Sequence, residues 1–303
     1  MRVFVTGASG HLGSAVVPAL RAAGHQIVGL ARSDAAAAVL QARGVEVVRG
    51  SLTDLELLAT AAAAADGVVH LAYDHEALVS GDIAGAAATD LRVAEAIGDA
   101  LAGSGKPFTA ASGTLLLASL GLNRPGLETD VAAESSPRVA TENLVIGLAG
   151  RGVRSSMVRL PPIVHSHLDH HGFAHVLIGI ARRTGVAGYL GDGANRWPAC
   201  HTLDAAELFR LAVESAPAGT RLHAVGDEGI PFREIAETIG RRLGLPAAPI
   251  EPDQAAEHFG FLSFIAGADN PTDSSLTREV MSWKPTHPGL LEDLEEGHYF
   301  DVA

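Results

Sequence analysis

Three glycines at three-residue intervals, Gly7, Gly10 and Gly13, follow the apolar run at residues 3–5 and precede a helical pattern over residues 14–23. A strand, a glycine turn and a helix in this order can hold a pyrophosphate. Gly7 permits the tight turn, Gly10 lets the backbone approach the anion, and Gly13 lets the helix pack close to the strand. The intervening Ser9, His11 and Leu12 are then expected to line the same anion. A second concentration of chemistry lies at His165, His167, His170, His171 and His175. Metal ligands need a rigid element and hydrogen-bonded support, whereas the residues around these histidines predict a loop. They are therefore expected to line a substrate pocket, and no metal site is assigned. His165, Tyr189 and His201 are side chains of this half whose chemistry suits proton transfer, imidazole because it titrates near neutral pH.

Short β-branched runs alternating with alanine-rich stretches must position these groups. Residues 3–6, 26–30, 45–48, 67–71, 108–111 and 153–160 read as strands, with helices between them. Strands apolar on both faces predict an α/β fold with a doubly wound parallel sheet, helices covering both sides. Beyond Leu160 the order loosens through Pro161, Pro162 and the histidine-rich stretch. The expected organisation is a nucleotide-binding domain over residues 1–160 and a smaller substrate lobe over residues 161–303, interleaved with the first. Helical periodicity returns at residues 204–215 and 232–243, the latter opened by Pro231 and closed by Gly244 and Pro246. The alanine runs at 35–38 and 59–65 read as helix.

With 303 residues, 47% of them hydrophobic, the chain can bury a large core. The net charge of −13 and scattered basic residues argue against nucleic acid as a partner. Cys200 is the one cysteine, which excludes an internal disulfide and fits a reducing compartment. The first ten residues predict no secretion leader, and no stretch approaches the roughly 20 apolar residues of a membrane span. The expectation is a cytoplasmic protein that acts on a small molecule, with no membrane partner. No oligomer interface is legible, and a homodimer is compatible with the sequence.

The Gly-x-x-Gly-x-x-Gly loop resembles the short-chain dehydrogenase/reductase superfamily, and further segments extend the likeness over nearly the full length. These are residues 50–54, 66–72, 159–165 and 191–206, the last resembling the extended, epimerase/dehydratase-like branch. The resemblance implies a Rossmann sheet carrying a nicotinamide dinucleotide. It places Ser51 and Leu52 against the adenine, and Ala72, Tyr73, Pro161 and Ile163 near the nicotinamide. Arg32 stands where members that select NAD usually carry an acid. A guanidinium there, with the Ser33 hydroxyl beside it, suits a 2′-phosphate, so NADP(H) is favoured over NAD(H).

At the catalytic positions the chain departs from the family. Most members use a Tyr-x-x-x-Lys pair, in which the lysine lowers the phenol's pKa, assisted by a serine or threonine. Here the tyrosines at 73, 189 and 299 are followed four residues on by Ala77, Gly193 and Ala303, and the pair is absent. Laying residues 134–142 on the family's catalytic helix puts Glu134 at the tyrosine position and Arg138 at the lysine position. Arg138 could hold the nicotinamide ribose and supply positive potential, although a guanidinium does not release its own proton. Ser112 matches the catalytic serine and would orient a carbonyl. Asn195, Arg196 and Trp197 would face the ligand, with His165 and His201 on the substrate side. Three functions are compatible with this reading: an NADP(H)-dependent oxidoreductase acting on a small carbonyl or alcohol, an epimerase, isomerase or dehydratase, and a non-catalytic dinucleotide sensor.

Overall fold

A computed structural model of the chain describes residues 1–133 and 136–301. The strands are β1 (Arg2–Thr6), β2 (Gln26–Ala31), β3 (Glu46–Arg49), β4 (Gly67–His70), β5 (Pro107–Gly113), β6 (Arg154–Leu160), β7 (Ile163–His165), β8 (Ala187–Leu190), β9 (Arg196–His201), β10 (Thr220–His223), β11 (Asp227–Pro231) and β12 (Ala247–Ile250). Seven of them form one sheet in the order β10-β6-β5-β4-β1-β2-β3. Every pairing in that sheet is parallel.

The sheet is the doubly wound Rossmann arrangement that the strand pattern predicts. Both of its faces are covered. Helices His11–Ala22 and Thr202–Ser215 pack together over one face, and Leu55–Ala64, Ile83–Leu101 and Val139–Gly147 cover the other. Strand order reverses between β1 and β4, and in sheets of this kind ligands bind beyond the carboxyl ends of the strands at such a reversal.

The seventh strand, β10, escapes the sequence pattern because it is four residues long and begins Thr-Arg. It finds its place beside β6, with Thr220 opposite Ser156. Residues beyond 160 thus complete the seven-stranded sheet and, through Thr202–Ser215, one of its helical layers.

The remaining C-terminal residues build a separate core around Trp197, Phe232, Phe259 and Leu290. Two small sheets frame it, β7-β9-β11 and β8-β12. The helix expected at 232–243 is Phe232–Leu243, entered from Pro231 and closed by Gly244 in the left-handed conformation. Among the described residues no helix is long and apolar enough to cross a membrane.

Candidate active site

The glycine loop leaves β1 at Thr6 with Gly7 at φ +70°. A Cβ on Gly7 would stand 2.8 Å from the Ala72 amide nitrogen, and one on Gly13 only 2.2 Å from the Gly7 carbonyl oxygen. Both positions therefore require glycine, the first for its conformation and closeness to β4, the second so that helix His11–Ala22 can seat on the loop. Gly10 differs. It has extended backbone, and a Cβ there would meet only the Gly7 carbonyl, at 3.3 Å. The space it keeps clear lies outward, in front of the helix. That helix start carries no side-chain cap and no acid in its first turn, so its free amides and positive dipole end fit a pyrophosphate. Ser9 and Gly10 are exposed at this opening, while Leu12 packs into the core. His11 turns toward the C-terminal half, its Nε2 2.9 Å from Thr202 Oγ1. Burial, with His170, His165 and His171 nearby, holds this imidazole below its ordinary pKa against the opposing pull of Asp169.

On the ribose side Arg32 is exposed and pairs with Glu76, while Ser33 caps helix Asp34–Ala42 by accepting from Ala36 N at 3.1 Å. Arg49, which the sequence reading passed over, reaches back from β3 to donate to the Ser33 carbonyl and, at 2.7 Å, to Asp34. Two guanidiniums thus flank one short turn. Ser51 is held by Asp54, which accepts from both its amide and its hydroxyl, and Leu52 packs on the sheet's second hydrophobic layer.

At the ends of β4 and β5 the sequence gathers a polar cluster from distant places. His70 lies opposite Ala110, which brings Tyr73 and Ser112 to neighbouring strand ends. Ser112 is 3% exposed, and its hydroxyl has no partner among the described residues. Arg138 sits at the start of helix Val139–Gly147 and donates to the Ala111 carbonyl at 2.8 Å. Its guanidinium carbon lies 4.3 Å from the centre of the Tyr73 ring, a cation–π contact. The same guanidinium is 3.4 Å from buried Asp90, whose other oxygen is 3.3 Å from His70 Nε2, and His70 Nδ1 meets Thr6 Oγ1 at 2.6 Å. Burial opposes ionisation of Asp90, but Arg138, His70 and a hydrogen bond with Thr141 outweigh it and hold the carboxyl below its usual range. Glu134 lies outside the described residues.

Asp90 is the residue that sequence reasoning missed and could have found. It occupies a buried stripe, Ala86, Ala87, Asp90, Val93, Ala94 and Ile97, where an acid stands among apolar neighbours at helical spacing.

The C-terminal residues divide differently from the expectation. Trp197 is fully buried, edge-on to Phe232 at 4.9 Å, and serves the second core rather than a cleft. Asn195 donates to the Ala266 and Ala268 carbonyls, and Arg196 pairs through two nitrogens with Asp269. No described contact brings these three, or Tyr189 on β8, to Ser112 or Arg138.

Pro161, between β6 and β7, and Ile163, the first residue of β7, are buried, Ile163 within the second core. His165 is fully buried, bonded through Nδ1 to Asp293 at 2.8 Å, with Nε2 unpartnered among the described residues. His201 stacks on His287 at 4.6 Å with ring planes 7° apart. Burial first, then His165 and His287, push its pKa down to about 4, so it is neutral at pH 7. His201, Asp204 and His287 come close together, but parallel rings cannot aim their nitrogens at one ion, and Asp204 already accepts from Thr286 N, His287 N and His287 Nδ1.

A parallel sheet with a glycine loop and uncapped helix at its reversal point defines a dinucleotide-binding α/β protein. A family model described as the NAD dependent epimerase/dehydratase family matches residues 3–225, and the chain belongs to that family. It is 45% identical over 301 residues to an uncharacterized protein of Schizosaccharomyces pombe, covering 99% of this chain and 100% of that one. It is 28% identical to 2′-dehydrokanamycin reductase of Streptomyces kanamyceticus, over 88% of this chain and 74% of that one. Among solved structures, dTDP-glucose 4,6-dehydratase from Streptomyces venezuelae with NAD and TYD bound shares the fold at a TM-score of 0.78. The identity there is 18%, with 99% of this chain and 98% of that chain covered.

Proposed function

We propose that this chain is an NADP(H)-dependent oxidoreductase that moves hydride to or from a small carbonyl or alcohol compound. The observation that carries this reading is the Ser112 hydroxyl, buried and without a partner among the described residues at the end of β5, beside the backbone carbonyl that anchors Arg138. A buried hydroxyl left without a partner costs about 1 to 3 kcal/mol, a cost that a bound substrate oxygen would remove. When bound, the reduced nicotinamide supplies the hydride. The chain's part is to bind and position: Gly7, Ser9, Gly10, His11, Leu12 and Gly13 around the pyrophosphate, Ser51 and Leu52 at the adenine, Ala72, Tyr73, Pro161 and Ile163 along the nicotinamide. Arg138 contributes positive potential at the reacting oxygen, and Ser112 donates a hydrogen bond to it. Arg32 and Ser33, with Arg49 beside them, favour the 2′-phosphate of NADP(H).

A reductase among the relatives supports the direction of this reading, and the lone buried Cys200 fits a cytoplasmic setting. The test is a screen of NADPH consumption over aldehydes, ketones, quinones and enones. Turnover in at least one class is expected. Binding of NADPH without consumption of any would contradict the oxidoreductase and favour the family's other chemistry, epimerisation or dehydration with the nucleotide retained.

A further inference from the structure

The missing Tyr-x-x-x-Lys pair leaves the source of the proton open, and the polar cluster at the strand ends closes that gap. We propose, resting on the oxidoreductase reading above, that Tyr73 gives its proton to the substrate oxygen, with Arg138 stabilising the phenolate left behind and Asp90 holding Arg138 over the ring.

Four observations carry it. First, Tyr73 follows the end of β4 by three residues and Ser112 lies on the neighbouring strand end, and the Arg138 guanidinium joins them, 4.3 Å from the Tyr73 ring centre and 2.8 Å from the Ala111 carbonyl next to Ser112. Second, Tyr73 is only partly buried, and its hydroxyl makes no hydrogen bond with the described residues, whereas Tyr299 is committed to Asp169 and the Ser166 amide. Tyr189 lies apart on β8 in the second core's sheet, and the Nδ1 atoms of His165 and His201 are engaged with Asp293 and Leu203 N. Third, the Arg138 guanidinium covers the Tyr73 ring at 4.3 Å, setting a permanent cation beside the phenol. Fourth, Asp90 is 2% exposed and fixed by His70 and Arg138, an arrangement that restricts where Arg138 can sit.

The groups facing the phenol are Arg138, Asp90, Asp74 and the edge of His75. Burial lifts the phenol above its ordinary range, Arg138 opposes, and Asp90 and Asp74 add to the lift. Tyr73 therefore holds its proton at neutral pH, as a donor must. With a bound reduced dinucleotide to supply hydride to the carbonyl carbon, the C=O π pair would move to the oxygen that Tyr73 faces. The Tyr73 O–H bond breaks while the product O–H bond forms. The phenolate, balanced by Arg138, then takes a proton from water. In the other direction each transfer reverses.

The test uses the full chain in four variants, Tyr73→Phe, Arg138→Met, Arg138→Lys and Asp90→Asn, with two readouts. Ultraviolet titration follows the phenols; Tyr73→Phe identifies one of the three, and in Arg138→Met that phenol should titrate about one pH unit higher, with Arg138→Lys restoring it. Asp90→Asn, by releasing Arg138 from the ring, should also raise it, but by less, because the lift from the Asp90 charge is lost at the same time. On the best carbonyl found by the screen, Tyr73→Phe should reduce kcat about a hundredfold or more while NADPH affinity stays within about twofold. A Tyr73→Phe kcat near the parent's overturns the assignment, as does a Tyr73 titration that ignores the loss of Arg138. If Arg138→Met does not fold, Arg138→Lys and Tyr73→Phe still decide through the second readout. If the parent consumes no carbonyl, the oxidoreductase reading fails and this assignment falls with it. If the parent is active and Tyr73→Phe equally so, this assignment alone is wrong.

Discussion

At the end of β1 the geometry is made by backbone: Gly7 turns at φ +70°, Gly13 lets the helix close to within a Cβ's width of the Gly7 carbonyl, and no side chain caps the helix. At the ends of β4 and β5 it is made by side chains, Thr6, His70, Asp90 and Arg138 in a chain of contacts that ends on the Tyr73 ring. The first region is one contiguous segment and tolerates almost no added volume at Gly7 or Gly13. The second draws on residues up to 132 positions apart in sequence, from Thr6 to Arg138, and depends on charge states. The two regions should therefore fail in different ways, one by steric exclusion and the other by titration or loss of a partner.

The largest effect is expected at Gly13. Gly13→Val would force a side chain into the Gly7 carbonyl and the Ala8 backbone, which cannot move aside as a flexible side chain would. A loss of roughly 4 kcal/mol or more in urea unfolding is expected, since overpacking here adds to the displaced helix. Gly10→Ala, with only one contact at 3.3 Å and extended backbone, should unfold within about 1 kcal/mol of the parent. Similar losses at both positions would erase the distinction between a packing glycine and a ligand-facing one.

Acid should act on the side-chain networks. His223, fully buried beside Arg159, has its pKa pushed down to about 4, first by burial. Its folded value lies below the unfolded one, so the unfolded chain binds more protons between them. The stability it preserves is complete above pH 6.5 and is lost as pH falls toward 4, at most about 3 kcal/mol. Burial opposes ionisation of both Asp90 and Glu142, but Arg138 with His70 holds the first below its usual range and Arg159 with Arg221 the second, and both lose their contributions at still lower pH. Urea midpoints measured from pH 7 to pH 4 should decline, and His223→Gln should flatten that decline. An unchanged slope would remove His223 from the account.

How much of this was legible beforehand follows the same division. The glycine loop, the six principal strands and the helix between Pro231 and Gly244 are local patterns of apolar period, turn and cap, and they read directly. Arg138 could be placed only by analogy. Its partner Asp90 lies 48 residues away on another helix, and nothing in local spacing joins them. Trp197 and Arg196 looked like ligand groups because an indole beside a charge suits recognition. The fold instead uses the indole to fill the second core and the charge to pair with Asp269, contacts set by segments 35 and 73 residues downstream. Strand β10 was invisible for a related reason: its four residues become a strand because β6 presents an open edge.

At the ribose end the expected effect is smaller. NADPH should bind more tightly than NADH by roughly 1 to 3 kcal/mol, nearer the lower figure because Arg32 is exposed and must leave Glu76. Arg32→Glu should reverse the order, and Arg49→Ala should narrow the gap. Equal affinities in the parent would detach Arg32 from cofactor choice.

The central claim, that the loop after β1 holds a nicotinamide dinucleotide, is met most directly by calorimetry of NADPH binding to the parent and to Gly10→Val. The branched side chain fits the extended backbone at this position but occupies the outward space in front of the helix. The account predicts a folded Gly10→Val protein with thermal stability close to the parent's and no measurable NADPH binding. A folded Gly10→Val that binds NADPH as tightly as the parent would contradict it.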